Sequence, residues 1–343
     1  MVILKIVLLM LLVLPMRVWA DTVLSADDFE SITEALQAVP ENAGIVILKL
    51  SGSNLKETSN RLSLPSDKNI SEFVFLPDDG HDSVSLPDVE RICANGVPLV
   101  IGEGIIMENV SIYGGACNSE GELSVTSSSI TVSGAVGFVF GGGFAENGAA
   151  SFVDESSVTL TKTGLVYFEV FGGGHAYGGG SRVSVNNAAL KISGTSDYVL
   201  GGGFAEDGGI SECNNAYVET TEESSVPVAL FTGGSASGAG SLSVVESAKG
   251  VVAGKANWAF SGDFAFGGGK TELKLASRLE ILSTGESEIV YMGSFASDEG
   301  SEAIVNTAEL MTCGDVSRIV QEGQAADNGK TVTNVKALFP CVS

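Results

Sequence analysis

Short apolar runs recur along most of the chain, and each run ends at glycine, asparagine or a polar cluster. Around Ala176 the runs are 166–171, 183–185 and 190–192. Runs this short that contain valine, isoleucine and aromatic residues are typical of β-strands, because helices need longer stretches with a wider spacing. Three strands and three corners within about 30 residues predict one triangular coil of a wound chain.

An alanine marks each coil, at intervals that alternate between 29 and 31 residues. The marker alanines are Ala116, Ala145, Ala176, Ala205, Ala236, Ala265, Ala296 and Ala325. Three of them share one frame: FGGGFA (140–145), FGGGHA (171–176) and LGGGFA (200–205). A fixed frame at a nearly fixed period predicts stacked coils whose strands pair in parallel along one axis. We therefore predict an all-β fold, a right-handed parallel β-helix with about 30 residues per coil.

Equivalent positions of successive coils should form columns along this axis. The position five residues before the alanine is apolar, and we expect it to face the interior; it holds Phe140, Phe171, Leu200, Phe231, Phe260, Tyr291 and Val320. The position six residues before is also apolar, and it holds Val139, Val170, Val199, Leu230, Ala259, Val290 and Ile319. Adjacent side chains of a strand point to opposite faces, so only one of the two columns can face inward. The sequence leaves open which one does.

Glycine also recurs in columns. Three residues before the alanine stand Gly142, Gly173, Gly202, Gly233, Gly262 and Gly293. Because glycine weakens a strand, this recurrence predicts either positive φ or a close approach of two backbones. A second glycine column, four residues after the alanine, predicts a corner; Gly180 belongs to it. We interpret the pairs 186–187 and 214–215, all asparagine, as further corner residues.

The N-terminal part departs from the repeat. Ser25 with Asp28 three residues later predicts a capping box, and Phe29 begins an apolar pattern with helical spacing that ends before Pro40. A short helix at 26–39 would cap the open end of the solenoid. We divide the chain into a signal peptide (1–20), a cap helix with a first strand (21–52), irregular first coils (53–110) and regular coils (111–343).

We interpret residues 1–20 as a secretory signal, with Lys5 in the basic region and Val18-Trp19-Ala20 at the cleavage site. The apolar run at 6–14 is shorter than the about 20 residues of a membrane span, so we predict no transmembrane segment. The mature chain is expected to be extracellular and associated with the cell surface. Its net charge would be −26, against −24 for the whole chain, because the signal holds two basic residues and no acids. A chain this acidic lacks the basic surface that nucleic acids require, which excludes them as partners.

The chain contains five cysteines, so at least one lacks an intramolecular partner. Cys313 and Cys341 follow successive marker alanines by 17 and 16 residues, which puts them in nearly the same column. Strands of neighbouring coils lie about 4.8 Å apart, within disulfide reach, so we predict this bond as a staple of the C-terminal end. Cys93 with Cys117 is a second candidate pair, and Cys213 is predicted to be a buried apolar residue.

The order of these elements resembles a known superfamily. The helix FESITEALQAVPE (29–41), the strand IVILKLSG (45–52) and the glycine-punctuated coils are similar to pectate-lyase-like right-handed β-helix proteins. The phrases YVLGGGFA and VFGGGHA also resemble secreted or surface repeat proteins described as adhesin-like. The resemblance implies the β-helix fold. It does not fix the activity, because this fold carries lyases, hydrolases, phage tailspikes and non-catalytic surface rods.

The motifs that the resemblance implies for enzymes are largely missing. The polygalacturonase branch carries NTD, DD, GHG and RIK; here NTD, GHG and RIK are absent, and DD occurs only at 27–28 and 78–79, before the regular coils. His175 lies in Gly-His-Ala, which lacks the second glycine of GHG. Asp263 replaces a small residue but lies three coils away, about 14 Å, too far for a direct hydrogen bond to His175. We therefore assign no catalytic, cofactor-binding or metal residue and favour a chain that is not an enzyme.

The sequence also contains one candidate surface site. The alternative interpretation is that its acidic residues are ordinary solvated side chains. Glu146 and Glu206 follow the alanine in coils two apart, about 10 Å from each other, near the carboxyl spacing of inverting glycosidases. Tyr177 lies between them and could stack on a sugar. No cofactor is expected; the acidic loop at 77–82 is a calcium candidate, with a simple turn as the alternative.

Two functional hypotheses follow. The first is a secreted, non-enzymatic β-helical protein with a surface-associated binding or adhesive role toward a cell-surface or matrix glycan or protein. The alternative is a polysaccharide lyase or glycoside hydrolase of the pectate-lyase-like class that acts on acidic polysaccharide. Regular coils without long insertions favour the first, because an enzyme cleft needs walls.

Overall fold

The computed structural model describes residues 20–51, 60–86, 89–339 and 341. Apart from Ala20, the predicted signal peptide lies outside the described residues. The chain forms a parallel β-solenoid of about 10 coils with roughly 29 residues per turn, which confirms the predicted fold class. Each regular coil contributes one strand to each of three parallel sheets, here named A, B and C.

The strands are numbered in chain order. Among the described residues sheet A has 12 strands: β1 Ala20–Ser25, β2 Ala43–Leu50, β4 Glu72–Pro77, β7 Leu99–Ile101, β10 Glu122–Val132, β13 Ala150–Leu160, β16 Arg182–Ile192, β19 Ile210–Thr220, β22 Leu242–Val252, β25 Lys270–Ile281, β28 Glu302–Thr312 and β31 Lys330–Phe339. Sheet B has 11: β3 Arg61–Ser63, β5 Val84–Ser85, β6 Arg91–Cys93, β8 Ile105–Tyr113, β11 Ala135–Phe140, β14 Leu165–Phe171, β17 Thr195–Leu200, β20 Ser225–Phe231, β23 Lys255–Phe260, β26 Glu286–Tyr291 and β29 Asp315–Val320. Sheet C has eight: β9 Cys117–Asn118, β12 Phe144–Ala145, β15 His175–Tyr177, β18 Phe204–Glu206, β21 Ser235–Ser237, β24 Phe264–Phe266, β27 Phe295–Ser297 and β30 Gln324–Ala326.

The coil has three strands as predicted, but they are divided differently. The runs 183–185 and 190–192 belong to one long strand, β16, and the third strand is the short β15 around Ala176. The predicted asparagine corner is therefore wrong. Both Asn186 and Asn187 are exposed in mid-strand, which interrupts the alternation of buried and exposed residues there. Hydrogen bonds to the two neighbouring strands stabilise the strand at this point. The Asn187 side chain donates to Glu155 Oε1 at 2.7 Å and accepts from Asn215 at 2.8 Å.

The alanine column holds for seven of the eight marker alanines. Consecutive sheet-C strands pair alanine with alanine from Ala145 to Ala325. Ala116 is the exception, because β12 places Ala145 opposite Asn118. The carbonyl of Ala116 accepts from the amide of Phe144, as the carbonyl of Gly143 does from His175 one coil later. Ala116 is thus the structural equivalent of Gly143 in a shorter coil. Its assignment to the alanine column, which used sequence spacing alone, was wrong.

The position six residues before the alanine faces the interior. Val139, Val170 and their equivalents up to Val290 are buried in the main core, which they share with inward residues of sheet A such as Val158. The position five residues before belongs to a separate apolar cluster that includes partly exposed rings such as Trp258. The expectation of an inward-facing aromatic column is therefore wrong. The strands of sheet B alternate strictly at these positions, so the aromatic column must point outward.

Close backbone approach explains the glycine column. A Cβ on Gly142 would lie 2.7 Å from the amide nitrogen of Gly174, and a Cβ on Gly173 would lie 2.6 Å from that of Gly203. Neither glycine has positive φ, so of the two predicted reasons only the close approach applies here. Buried serines of sheet A support the same corner, since Ser156 donates to the carbonyl of Gly172 at 2.5 Å.

The N-terminal helix α1, Ile32–Ala38, is shorter than predicted. Its N-cap is Ser31, whose hydroxyl accepts from the amide of Glu34, whereas Ser25 makes no side-chain capping bond. Ser25 instead ends β1 and precedes a single 3₁₀ turn at Ala26–Asp28, so the helix begins later. Ile32 and Leu36 are buried in the same core as the first coils, which fits the predicted capping role.

Both predicted disulfides are present. Cys93 bonds to Cys117, Cys313 bonds to Cys341, and Cys213 is buried and free. Burial raises the pKa of the Cys213 thiol to about 12, so this cysteine behaves as an apolar residue. The second bond ties the end of the chain, just after β31, to the coil below it.

Replacing both Cys313 and Cys341 by serine is expected to destabilise the last coil by roughly 3 kcal/mol, because the bond closes a loop of 28 residues. In a solenoid each coil contacts only its neighbours, so the loss should be local. Hydrogen exchange should show faster exchange in Lys330–Phe339, while strands before Lys270 keep their rates. The matched control replaces Cys93 and Cys117 by serine. Faster exchange of β31 in that control, or unchanged exchange in the test variant, would contradict the expectation.

Candidate functional site

The outer faces of sheets B and C meet at the glycine corner and form a concave surface, the aromatic groove. Its floor is the column five residues before the alanine. Ring pairs join this floor to sheet C across the corner: Phe171 with Phe204 at 5.7 Å and Phe231 with Phe264 at 5.4 Å between ring centroids. Because residues of the two sheets contact each other outside the tube, the two faces form one surface along the solenoid axis, with a concavity beside Tyr198, Trp258 and Phe264.

The walls of the groove are three further columns. On sheet B the wall is the position seven residues before the alanine: Phe138, Glu169, Tyr198, Ala229, Trp258, Ile289 and Arg318. On sheet C the wall consists of the residues directly before and after the alanine. The residues before are Phe144, His175, Phe204, Ser235, Phe264, Phe295 and Gln324; the residues after are Glu146, Tyr177, Glu206, Ser237, Phe266, Ser297 and Ala326.

The floor consists of two stacks of buried rings that are separated by Leu200. Ring centroids of Phe140 and Phe171 lie 4.8 Å apart, and those of Phe260 and Tyr291 lie 4.4 Å apart, with planes within 3° of parallel. This spacing equals the distance between coils, so equivalent rings meet face to face. Apart from the buried Phe144, the wall rings are only partly buried, and Phe168 and Tyr177 at the edges are more than 40% exposed. The groove therefore offers apolar ring faces to solvent.

At the N-terminal end of the groove the aromatic surface becomes polar. His175 lies between Tyr113, whose hydroxyl is 3.2 Å from Nδ1, and Glu206, whose Oε2 is 3.1 Å from Nε2. Arg91 lies over the ring of Phe144 at 3.8 Å, a cation–π contact, and 3.6 Å from the carboxylate of Glu146. Strands β6, β8, β12, β15 and β18 supply these residues, so stacking of coils assembles the cluster from distant parts of the sequence.

The side chains of this cluster are already paired with one another, and the pKa shifts agree with this pairing. Burial lowers the pKa of His175, and the hydrogen bond from His175 to the carboxylate of Glu206 opposes that effect only partly. A neutral imidazole has one N–H, and since a carboxylate only accepts, that N–H lies on Nε2 and points to Glu206. Nδ1 then accepts from the hydroxyl of Tyr113, whose pKa burial raises. Both ring nitrogens are occupied, so His175 has no free nitrogen with which to take a proton from a substrate.

Glu169 is the titratable group of the groove wall. Burial and, as the smaller effect, the negative charge of Glu206 together raise its pKa to about 7. Near neutral pH this carboxyl is therefore partly protonated. The carboxylates of Glu146 and Glu206 and the partly ionised Glu169 give the N-terminal half of the groove an acidic character, which the charges of Arg91 and of the nearby Arg61 offset in part.

The structure places the three residues of the predicted surface site in one column. Tyr177 pairs with Glu206, and Glu146 lies directly after the strand that pairs with β15. Each of the two acids already has a partner, Arg91 for Glu146 and His175 for Glu206, whereas Tyr177 is exposed with its ring edge-on to His175. Sequence reasoning missed Arg91, which lies in the irregular first coils, and Tyr113, which lies at the start of the regular coils. It also missed the wall, although aromatic residues recur seven positions before the alanine.

Asp263 does not belong to the groove. Its side chain is fully buried, where Oδ1 accepts from the amide of Gly234 at 2.9 Å and Oδ2 has no hydrogen-bond partner. Burial raises its pKa to about 8, and the hydrogen bond from Gly234 moderates this effect. This carboxyl is neutral over most of the range in which proteins function, and it contacts backbone and not solvent.

Among the described residues, no group of three His, Cys, Asp or Glu side chains is placed to hold a metal ion. In the acidic loop that was a calcium candidate, Asp79 pairs with Lys49 at 2.7 Å and Gly80 has positive φ, as a turn requires. Within the part of the chain that the structure covers, none of the helices is long and apolar enough to cross a bilayer.

Comparison of the chain with protein-family models, with curated proteins and with solved structures gives no match. The class of the protein is therefore defined by its own architecture. It is a parallel β-solenoid with an apolar interior and an aromatic, partly acidic groove on its outer surface.

Proposed function

We propose that this protein is a secreted, non-enzymatic binding protein that attaches to carbohydrate at a cell surface or in a matrix. The aromatic groove is the observation that carries the proposal. Partly exposed rings that line one continuous concave surface are what a protein needs to hold an extended ligand. Two disulfides support an extracellular location, because such bonds persist in oxidising compartments.

Aromatic walls suit sugars for a physical reason. The C–H face of a pyranose ring is apolar and weakly positive, and the face of an aromatic ring is negative, so the two stack. Phe138 and Phe204 offer such faces on opposite walls of the groove. Neighbouring coils repeat the arrangement at about 4.8 Å, which matches a polymer of repeating units better than a single small molecule.

Charge favours a neutral or amine-bearing carbohydrate over an acidic one. Glu146, Glu169 and Glu206 line the groove, and the whole chain carries a net charge of −24. An acidic polysaccharide would meet like charge there. A lyase on such a substrate also needs a free base, whereas His175 is saturated and Arg91 is engaged by Glu146. These contacts support binding over the alternative of catalysis on acidic polysaccharide.

The test is a glycan array and a whole-cell binding assay with wild-type protein, a Phe138→Ala/Phe204→Ala variant and a Tyr217→Ala control. Tyr217 is an exposed aromatic residue on the outer face of sheet A, away from the groove. Losing two stacking rings should weaken carbohydrate binding about tenfold or more, since each aromatic contact contributes roughly 0.5–1.5 kcal/mol. The control should bind as wild type does.

Two results would refute this function. One is failure of the folded wild-type protein to bind any neutral or amino glycan or any cell. The other is release of unsaturated products or new reducing ends from polygalacturonate, alginate or hyaluronan, which would favour the enzymatic alternative.

A further inference from the structure

The first coils leave one strand of sheet A half uncovered. Strand β10 has 11 residues, whereas β4 and β7 in the coils before it have six and three. Because β7 pairs only with Ile130–Val132, no strand among the described residues lies beside Glu122–Ser129 on this side. The neighbouring edge of sheet C is closed, since the guanidinium of Arg61 donates to the carbonyl of Cys117. The N-terminal half of β10 is therefore an open edge.

This edge presents unpaired backbone groups. In the next coil the amide of Ala150 donates to the carbonyl of Gly121, so amides at this position point toward the preceding coil. Glu122 pairs with Ala150 in register, and its amide therefore points to the side where no strand lies. Backbone groups alternate in direction along a strand, so the N–H and C=O of Ser124 point the same way. Such groups are satisfied by the backbone of an added strand.

A notch of about 630 Å³ lies along the open edge, and we name it the sheet-A notch. Residues 123–127 of β10 form one side, and the turns after β3 and β6, which contain Ser63 and Asn95, form the other. The turn at Gly96 closes one end, because a Cβ there would lie 3.2 Å from the Cβ of Val125. This volume lies within the range of about 300–1,000 Å³ that ligand sites occupy. The edge over Glu122–Thr126 is about 16 Å long, enough for a short extended peptide.

Two apolar side chains of β10 are uncovered in the notch. Leu123 is 46% exposed, whereas Ser151, which pairs with it in the next coil, is fully buried. Val125 is half-buried, and its partner Val153 is buried. The difference arises because β13 has a coil below it and this part of β10 has none. A strand added to the edge would cover both side chains with every second residue of its own, so those residues should be apolar.

Shape and charge limit the occupant further. The turns after β3 and β6 lie beside the edge, so the same edge of a second copy would meet these turns before it met β10. A single narrow strand meets no such obstruction. Glu120 and Glu122 are exposed at the end of the notch opposite Gly96, and the polar residues of its lining are uncharged. A basic residue at that end of the peptide would complement the two carboxylates.

We propose that the sheet-A notch binds an extended peptide segment of a partner protein, which extends sheet A by one strand. Its backbone pairs with Glu122 and Ser124, its apolar residues cover Leu123 and Val125, and a lysine or arginine lies beside Glu122. This mode of recognition takes its affinity from main-chain hydrogen bonds and its specificity from alternate side chains. The inference goes beyond the carbohydrate role, because no residue of the groove walls lines the notch.

Fluorescence polarisation with a labelled hexapeptide tests the proposal. The probe begins with lysine and continues with alternating valine and threonine, and it should bind the full chain saturably. The same peptide N-methylated at alternate amides should bind about tenfold more weakly or less, because the carbonyls of the edge then lack their donors. Glutamate in place of the lysine should weaken binding severalfold at low salt, and this difference should shrink as salt screens the charges.

A variant of the edge provides the complementary test. Ser124→Pro removes one amide that faces the notch, and proline is tolerated where the N–H points away from the sheet. Binding of the probe should fall about tenfold or more, whereas Ser124→Ala, which keeps the amide, should bind as wild type does. Far-UV circular dichroism and thermal midpoints establish that both variants are folded. The N-methylated peptide decides the question without any variant.

Several results would overturn the proposal. The first is no saturable binding of the probe to the folded wild-type chain at up to about 1 mM, and the second is equal binding of the N-methylated and unmodified peptides. A dimer of the free chain that Ser124→Pro dissociates would assign the edge to a second copy. Slow amide exchange of Glu122 and Ser124 in the free monomer would assign it to another segment of this chain.

The two proposed binding roles can fail separately. The Phe138→Ala/Phe204→Ala variant should bind the peptide as wild type does, and Ser124→Pro should bind glycans as wild type does. If the peptide fails while glycans bind, only the assignment of the notch falls. If the peptide binds and all glycans fail, the carbohydrate role of the groove falls instead.

Discussion

Gly173→Ala is expected to lower the free energy of unfolding by about 3 kcal/mol or more. The added Cβ would lie 2.6 Å from the amide nitrogen and 2.7 Å from the Cα of Gly203, and both atoms belong to the backbone of the next coil. Backbone in a stacked coil cannot move away as the end of a flexible side chain can, so the coils must separate locally. Urea unfolding followed by far-UV circular dichroism measures the loss.

Gly179→Ala is the matched control, because it is the same substitution in the same coil. A Cβ on Gly179 meets no atom within 4 Å, and its φ is outside the left-handed region. We expect stability to stay the same or rise by up to about 1 kcal/mol, since alanine restricts the unfolded chain. Equal losses from the two substitutions would show that glycine is needed at Gly173 for a reason other than the approach of Gly203.

Asp263→Asn should remove a large part of the dependence of stability on pH. The folded protein raises the pKa of Asp263 from 3.8 to about 8, chiefly by burial, so the folded state retains a proton that the unfolded state has released. Stability is therefore fully present below the unfolded pKa and falls as the pH rises toward the folded pKa. The size of this loss is on the order of 5 kcal/mol. Asparagine stays neutral and keeps the oxygen that accepts from Gly234.

The measurement compares urea unfolding of wild type and variant at intervals from pH 4 to pH 8. The difference in free energy should move steadily in favour of the variant as the pH rises. Asp263→Ser, which copies Ser294 of the next coil, should show the same slope with a constant offset for the lost hydrogen bond. Parallel pH profiles of wild type and both variants would show that Asp263 does not hold its proton in the folded state.

Because the sequence repeats, the architecture could be predicted from it. The regular alternation of 29 and 31 residues between the alanines predicted the stacking of coils, and the positions of Cys313 and Cys341 in this repeat predicted their disulfide. The same spacing gave a wrong assignment at Ala116, although its interval of 29 residues to Ala145 fits the repeat. Ala116 was placed two positions off, because the coil before Ala145 is shorter and its first sheet-C strand pairs Asn118 with Ala145.

The groove could not be predicted from the repeat in the same way. Phe140 and Val139 are adjacent and both apolar. The sequence cannot show which of their two columns faces the interior, because this depends on the direction in which the chain bends. That direction is set at the glycine corner, where backbones of neighbouring coils come too close for a side chain. The propensities of single residues cannot predict this contact, because it forms between the backbones of neighbouring coils. The sequence therefore left open which of the two columns faces the interior, with the aromatic column as a candidate, and the structure places the aromatic column outside.

Local pattern by itself determined that the chain winds into parallel coils, because a periodic arrangement of apolar residues is buried most completely when like residues stack. Only the tertiary structure decided what faces solvent. It brought Arg91 to Glu146 and Tyr113 to His175 across two coils or more, and it opened a pocket at Ala229 between Tyr198 and Trp258. Such contacts depend on the direction of each side chain and on the neighbouring coil, which are properties of the folded chain.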